Sequence, residues 1–223
     1  MTMLLQQVLL VMLVLLAQSQ AMYYGSAAGG GSYNSRLHRH ARCSSSAKPC
    51  RLKFELFHLN NTLISRTASQ QCSCNSNQGE CSNDWTNSNK VISRNLRSDD
   101  MKVNLHMMFC NTVTPATECD NNQVSLEISG FMAIPNDVDN HACRCRNTSQ
   151  PLYLVERRLA NNRFYHKYVC ADSWPTCSAN NACMRVRSDR TDYFCECPSN
   201  LVCRLSGPWV AGTIEEIVYC SSR

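Results

Sequence analysis

Short runs of alternating apolar and polar residues recur along the chain. Residues 52–56 (LKFEL), 103–107 (VNLHM) and 124–128 (VSLEI) each place apolar side chains at every second position. Alternation with a period of two over five residues predicts half-buried β-strands. The chain after residue 42 carries no long run with the period of a helix, so the pattern predicts an all-β fold.

Two further apolar runs flank a pair of asparagines. Residues 152–155 (LYLV) and 164–169 (FYHKYV) read as strands, and Asn161 and Asn162 lie between them. Asparagine tolerates positive φ angles, so the pair predicts a hairpin turn. Residues 214–219 (IEEIVY) could form one helical turn, but their branched side chains and their position before a cysteine favour a strand.

The first 21 residues predict a secretory signal peptide. Residues 4–17 are apolar except for two glutamines, and this run is shorter than the ~20 residues of a membrane span. Ser19 and Ala21 supply the small residues at positions −3 and −1 of a cleavage site after Ala21. No later run approaches the length of a span, so we expect a secreted, extracellular protein with no membrane insertion.

Residues 22–42 predict a flexible leader. Their first half has the glycine- and serine-rich composition of a linker, and their second half is basic. The segment is interpreted as a disordered leader or as a propeptide cut near Arg39 or Arg42. Over the whole chain the net charge of +5 is too small and too scattered for a nucleic-acid-binding protein, so no nucleic-acid partner is predicted.

Cysteine is the most informative residue of the sequence. It occupies 16 of 223 positions, and none lies before Cys43. An even number at this density indicates an oxidising compartment and a disulfide framework. We therefore predict that every cysteine forms a disulfide bond: Cys43, Cys50, Cys72, Cys74, Cys81, Cys110, Cys119, Cys143, Cys145, Cys170, Cys177, Cys183, Cys195, Cys197, Cys203 and Cys220.

The order of the cysteines predicts three tandem units. Residues 43–110 and 171–223 each hold six cysteines in the order C…C…C-x-C…C…C, and residues 111–170 hold four. The middle unit lacks the second and the fifth cysteine of this order. Two positions missing together are most simply a missing pair, which predicts the bonds Cys50–Cys81 and Cys183–Cys203.

The two cysteines of each C-x-C step are poorly placed to bond each other on an extended strand. Each step is therefore expected to bond to the two outer cysteines of its unit. In the middle unit, Cys143 and Cys145 bond to Cys119 and Cys170, and the sequence leaves the order open.

No motif of the sequence indicates a metal site or a catalytic centre. Structural zinc sites use C-x2–4-C spacing, which the C-x-C steps do not have. The sequence contains no H-E-x-x-H, no G-x-S-x-G and no P-loop. We predict no metal, no cofactor and no catalytic residue, and hence a protein that is not an enzyme.

Several motifs resemble the Argos, or giant-lens, family of secreted insect proteins. They are the C-E-C-P step at 195–198 followed five residues later by Cys203, the ending AGTIEEIVYC at 211–220, the C-R-C step at 143–145 and the count of six, four and six. The resemblance extends from Cys43 to Cys220. It implies three small β-rich units similar to three-finger folds.

The same resemblance implies a function. Argos binds an EGF-type growth factor and withholds it from its receptor, so the resemblance implies a protein that binds an extracellular protein and antagonises signalling. The protein is expected to be a monomer. The chain lacks a large insertion of that family, and no ligand-contacting residue is carried over. A looser similarity to larger cysteine-rich centipede venom proteins implies an alternative, a toxin that acts on an ion channel or receptor.

Four basic residues flank the predicted hairpin and are the candidate ligand-binding residues. They are Arg157, Arg158, Arg163 and Lys167, with only Glu156 opposing them. If both strands carry them on one face, they could meet an acidic ligand and steer its approach. The alternative is a solvated face that aids solubility.

The tryptophans are the aromatic candidates for a binding surface, because tryptophan is enriched at the centres of protein interfaces. Trp85, Trp174 and Trp209 are the three, with a place in the core as the alternative. Asn60 and Asn147 begin N-x-S/T sequons and are the candidate glycosylation sites.

Overall fold

A computed structural model describes residues 41–45, 48–75, 80–97, 101–112, 117–131, 135–178, 180–205 and 215–222. The predicted signal peptide and nearly all of the predicted leader lie outside them. The described residues form thirteen strands and one short 3-10 turn, Ala171–Ser173. The strands are β1 Arg51–His58, β2 Leu63–Gln70, β3 Val91–Arg97, β4 Met101–Met108, β5 Val124–Gly130, β6 Asp137–His141, β7 Leu152–Ala160, β8 Arg163–Cys170, β9 Ala182–Val186, β10 Arg190–Tyr193, β11 Leu201–Val202, β12 Glu216–Tyr219 and β13 Ser221–Ser222.

The predicted all-β, disulfide-rich fold is confirmed. The three alternating runs lie in β1, β4 and β5, and β7 and β8 form the predicted hairpin. Asn161 and Asn162 join these two strands with φ angles of 51° and 58°, which few side chains other than asparagine tolerate. The run before Cys220 is β12. Among the described residues, no helix has the length and apolarity needed to cross a membrane.

Eleven of the strands share one sheet. Its main path runs β12-β9-β10-β7-β3-β4-β1-β2, and β8, β5 and β6 branch from it at β7; β11 and β13 form a separate pair. Strands from all three predicted cysteine units therefore join one hydrogen-bonded network. The unit boundaries after residues 110 and 170 stay a prediction.

Strand β7 is the branch point because it changes partner along one edge. At its start, Leu152 and Tyr153 pair with β3 in parallel. Further along the same strand, Glu156 begins an antiparallel pairing with β10. Leu154 and Val155 lie between the residues that pair with β3 and those that pair with β10. On the other edge of β7, the pairing with β8 has a bulge between Leu154 and Glu156. The sheet is thus interrupted beside the middle of β7.

The largest core cluster lies under the first eight strands. Leu105 and Met107 of β4 pack in one cluster with Leu126 of β5 and Leu152 of β7, and all four are essentially inaccessible to solvent. This core spans the first two cysteine units. Residues 171–223 have a second, smaller cluster in which Met184 and Val186 pack against disulfides. So small an apolar core needs covalent support.

Eight disulfides pair all sixteen cysteines, and every bond joins two cysteines of one predicted unit. Cys50 bonds to Cys81 and Cys183 bonds to Cys203, the two pairs that the gaps in the middle unit predict. The first cysteine of each C-x-C bonds to the first of its unit, and the second bonds to the last. These bonds are Cys43–Cys72, Cys74–Cys110, Cys119–Cys143, Cys145–Cys170, Cys177–Cys195 and Cys197–Cys220.

The same local arrangement, here called a clasp, occurs three times. Clasp 1 joins residues 41–43 to 72–74, clasp 2 joins 117–119 to 143–145, and clasp 3 joins 175–177 to 195–197. In each, two extended segments form a parallel bridge beside a disulfide whose Cα atoms are 5.0–5.1 Å apart.

Two backbone hydrogen bonds accompany the disulfide of each clasp. The first cysteine of the unit donates its amide to the carbonyl of the middle C-x-C residue, at 2.8–2.9 Å. That middle residue donates its own amide to the carbonyl of the residue two positions before that first cysteine, at 2.9–3.0 Å. Each clasp therefore fixes both the position and the direction of the central C-x-C side chain.

A partly buried histidine lies near an arginine. His141 ends β6 with its Nε2 atom buried, and Arg94 on β3 is close enough for its charge to act on the imidazole. Burial and then the Arg94 charge lower the pKa of His141 to about 4. Burial likewise holds the pKa of His166 well below its usual value, with a further contribution from Arg157.

We predict that the protein loses stability as the pH falls from about 6.5 toward 4. Above this window His141 is neutral in the folded and in the unfolded protein. Within the window the imidazole binds a proton in the unfolded chain but not in the folded protein, and this protonation stabilises the unfolded chain. The loss is on the order of 3 kcal/mol for this one group. Melting temperatures between about pH 7 and pH 4 measure it.

His141→Gln tests the assignment, because it removes the titrating group. We expect this variant to lose less stability over the window than the unmodified protein. His58→Gln, at an exposed position, is the matched control for the substitution itself. An unchanged pH dependence in His141→Gln would contradict the prediction.

Candidate functional site

A cleft of about 410 Å³ opens where the sheet is interrupted beside β7. This volume lies within the range of roughly 300–1,000 Å³ that is typical of ligand sites. All three cysteine units contribute to its walls. The lining residues are Leu59, Arg97, Tyr153, Leu154, Trp174, Thr176, Tyr193, Cys195, Glu196, Cys197, Pro198, Ser199, Leu201, Val202 and Cys203.

An ion pair joins two walls of the cleft. The Arg97 guanidinium, at the end of β3, lies 2.6 Å from a carboxylate oxygen of Glu196. Their side chains are 41% and 33% exposed, so the pair remains open to solvent and to a ligand. At such exposure the pair itself contributes at most about 1 kcal/mol to stability. Its main effect is to place two opposite charges at one side of the cleft.

An aromatic stack forms another wall. The rings of Tyr153 and Trp174 are nearly parallel, with centroids 6.0 Å apart. The Arg97 guanidinium carbon lies 5.8 Å from the Tyr153 ring, within the range of a cation–π interaction. Burial, followed by the hydrogen bond and charge of Glu196, raises the pKa of Tyr153, so its hydroxyl stays protonated.

The local backbone explains why these side chains meet. Glu196 is the central residue of the C-x-C step in clasp 3, which aims its side chain out of the third unit toward Arg97. Trp174 follows the 3-10 turn after β8, and its amide donates to the Ala171 carbonyl at 2.9 Å. Tyr153 pairs directly with Arg97 across the β3–β7 register. The cleft is thus built on strands and disulfides.

The chemistry of the cleft favours binding. Aromatic and aliphatic surface accepts an apolar group, and the ion pair and the Tyr153 hydroxyl supply donors and acceptors that orient it. The carboxylate of Glu196 is held by Arg97, so it is a fixed polar contact.

The four predicted basic residues do not lie together. Arg158, Arg163 and Lys167 occupy one face of the β7–β8 hairpin, and Arg157 lies on the opposite face beside the buried His166. Lys167 is ion-paired with Glu156 at 3.1 Å.

Arg163 also has partners. It binds Asp137 at 3.0 Å and donates to the hydroxyl of Ser129. Its guanidinium carbon lies 5.2 Å from the ring of Phe131. Arg158 lies over a different ring, Tyr165, at 5.1 Å. These residues are not part of the cleft, and their role in ligand binding stays a prediction.

The tryptophans differ in their positions. Trp174 lines the cleft, whereas Trp85 lies in the first unit, edge-on to His106 and below Lys53. Trp209 lies outside the described residues. Trp174 was a predicted binding residue, and three cysteines that line the cleft were predicted only as disulfide partners; Arg97, Tyr153 and Glu196 were not predicted as binding residues.

Clusters of three cysteine sulfurs occur in the described structure, within 4.8 Å of one another. Each cluster is made of neighbouring disulfides, for example the bonds of Cys177, Cys197 and Cys220. Oxidised sulfur is not a thiolate and lacks the charge that binds metals. The clusters therefore serve as compact covalent cores.

The chain belongs by its architecture to the disulfide-rich, all-β proteins. No family model matches it, and no curated protein matches it. Among solved structures, the crystal structure of unliganded Argos is similar, with 16% sequence identity and a TM-score of 0.44; the match covers 82% of this chain and 92% of that one.

We predict that both sequons carry glycans when the protein passes through a eukaryotic secretory pathway. Asn60 and Asn147 are exposed and lie at turns. The Ser149 hydroxyl donates to the Asn147 side-chain oxygen at 2.7 Å, and the Thr62 amide donates to that of Asn60 at 3.0 Å. Mass spectrometry before and after peptide N-glycosidase should show two sites.

Asn60→Gln and Asn147→Gln should each remove one glycan and leave the other. Asn75→Gln is the matched control, because Asn75 lies outside any sequon. An intact mass that equals that of the bare polypeptide would contradict the prediction.

Proposed function

We propose that this protein is a secreted, non-enzymatic binding protein that takes an apolar side chain of an extracellular protein ligand into the cleft beside β7. The observation that carries the proposal is the cleft itself, where the Tyr153–Trp174 stack and the Arg97–Glu196 pair meet. Tryptophan, tyrosine and arginine are the residues most enriched at the energetic centres of protein interfaces.

The frame around the cleft supports the proposal. Clasp 3 and the β3–β7 pairing hold the walls before any ligand arrives. A preorganised site loses little conformational entropy when it binds, which favours affinity. Eight disulfides also fit an oxidising, extracellular environment.

We further propose that the ligand is an EGF-type growth factor and that binding withholds it from its receptor. The ligand class is what the resemblance to the Argos family implies, a resemblance that rests on the cysteine order and on the motifs at residues 143–145, 195–198 and 211–220. Such an antagonist needs a stable complex and no chemical step, which suits a rigid cleft.

We predict that Trp174→Ala and Tyr153→Ala each weaken binding of an EGF-type ligand at least tenfold. Removal of a central aromatic residue from an interface costs about 2 kcal/mol or more, and each 1.4 kcal/mol is a factor of ten. Calorimetry with a panel of purified EGF-type domains measures the affinity.

Trp85→Ala is the matched control, since it removes the same side chain from a surface that does not line the cleft. Its affinity should equal that of the unmodified protein. Equal loss in both tryptophan variants would reject the cleft as the site. Absence of binding across the panel at micromolar ligand would reject the growth-factor class, and ion-channel recordings would then test the toxin alternative.

A further inference from the structure

A second surface, separate from the cleft, carries two arginines side by side. Arg158 of β7 lies directly opposite Arg190 of β10 in their antiparallel register. On its other side, Arg158 lies opposite Tyr165 of β8. The three residues form one cross-strand row on one face of the sheet, called here the arginine row.

The juxtaposition of two arginines is unfavourable by itself. Residues directly opposite in an antiparallel pair have neighbouring side chains, and like charges in this position destabilise the pair. The Nε atoms of both Arg158 and Arg190 are buried and have no hydrogen-bond partner among the described residues, and the carboxylate beside them, Asp192, lies 3.6 Å from the Nε atom of Arg190 and is shared with Arg187. The row therefore carries positive charge that the fold does not fully neutralise.

Two of the carboxylates near the row have ionic partners, and one of those partners is Arg190 itself. Glu156 binds Lys167 at 3.1 Å. Asp192 is shared between Arg187, at 3.4 Å, and Arg190, at 3.6 Å. Arg158 instead lies over the ring of Tyr165, with its guanidinium carbon 5.1 Å from the centroid. This ring orients the guanidinium without cancelling its charge.

An exposed aromatic residue lies at the end of the same hairpin. Phe131 follows β5 and is 73% exposed, and Arg163 at the start of β8 packs against its ring. Arg163 and Tyr165 lie on the same face of β8, because side chains alternate along a strand. Arginine interleaved with tyrosine and phenylalanine is typical of a protein-binding surface and less so of a purely electrostatic one.

We propose that the arginine row binds a carboxylate of an acidic segment in a protein partner. Two neighbouring guanidinium groups can donate several hydrogen bonds to one carboxylate, and such charge-assisted contacts are strong and directional. The bound carboxylate would also relieve the repulsion between Arg158 and Arg190. The proposal rests on the proposed function only in that the partner is an extracellular protein.

A labelled peptide of eight glutamates is the probe, and its fluorescence anisotropy is read at low and at physiological salt. We expect Arg158→Gln and Arg190→Gln each to weaken its binding about tenfold, the loss typical of a hydrogen-bonded charged contact. Arg146→Gln is the matched control. It removes the same charge from a side chain that is 83% exposed and lies outside the arginine row, directly after clasp 2.

Two further readouts separate binding from a structural role. Arg158→Gln should change the melting temperature little, because it removes the like-charge contact with Arg190 together with the cation–π contact with Tyr165. A structural role predicts a clear decrease. Arg158→Lys keeps the charge but loses the planar fork, and should bind the peptide with intermediate affinity.

Three results would overturn the proposal. One is an unchanged affinity of Arg158→Gln for the peptide. Another is an equal loss of affinity in Arg146→Gln, which would mean that the peptide responds only to the net charge of the protein. The third is tighter binding of a heparin-derived oligosaccharide that depends on the same arginines, which would assign the row to sulfated glycans. Binding of the glutamate peptide depends neither on Trp174 nor on the growth-factor ligand. A failure of the peptide experiment therefore does not affect the cleft proposal, and a failure of the cleft experiment does not affect the arginine row.

Discussion

The C-x-C disulfides are the constraint on which the rest of this structure depends. Each clasp ties two segments together by one covalent bond and two backbone hydrogen bonds, at positions 43–72, 119–143 and 177–195. The third unit shows why this is needed, since half of its buried cluster is cysteine. A disulfide contributes on the order of 2–4 kcal/mol by restricting the unfolded chain, which compensates for an apolar core of limited size.

The clasps also decide where polar side chains lie. The central residue of each C-x-C step is fixed by its bridge, and its identity differs among the three: Ser73, Arg144 and Glu196. Arg144 is paired within its own clasp, with Glu118 at 4.0 Å. Glu196 instead reaches Arg97 of the first unit. One repeated backbone geometry thus supports a local contact in one unit and a wall of the cleft in another.

The sequence was informative where a strand has one buried and one exposed face. β1, β4 and β5 alternate because their inner side chains enter the main core, and the hairpin was predictable from Asn161 and Asn162. β2 was not predictable, because it is an edge strand whose side chains are mostly exposed and mostly polar. The sequence does not decide which cysteine of each C-x-C step bonds to which outer cysteine of its unit, because both arrangements satisfy the same spacing.

The cleft could not be predicted for a different reason. It depends on the parallel pairing of β3 with β7 and on the partner change within β7, which no local pattern encodes. Arg97 and Glu196 are far apart in the chain, and each reads in sequence as an ordinary surface charge. Trp174 could be selected from sequence as a binding residue, because tryptophan is enriched at the centres of protein interfaces.

Peptide mapping of the non-reduced protein tests the clasps most directly, with free thiols blocked before unfolding. We expect the first cysteine of each C-x-C to be linked to the first of its unit: Cys43–Cys72, Cys119–Cys143 and Cys177–Cys195. The second cysteine of each C-x-C should be linked to the last of its unit: Cys74–Cys110, Cys145–Cys170 and Cys197–Cys220. The reversed order, such as Cys177 linked to Cys197, or any bond between two units would contradict it.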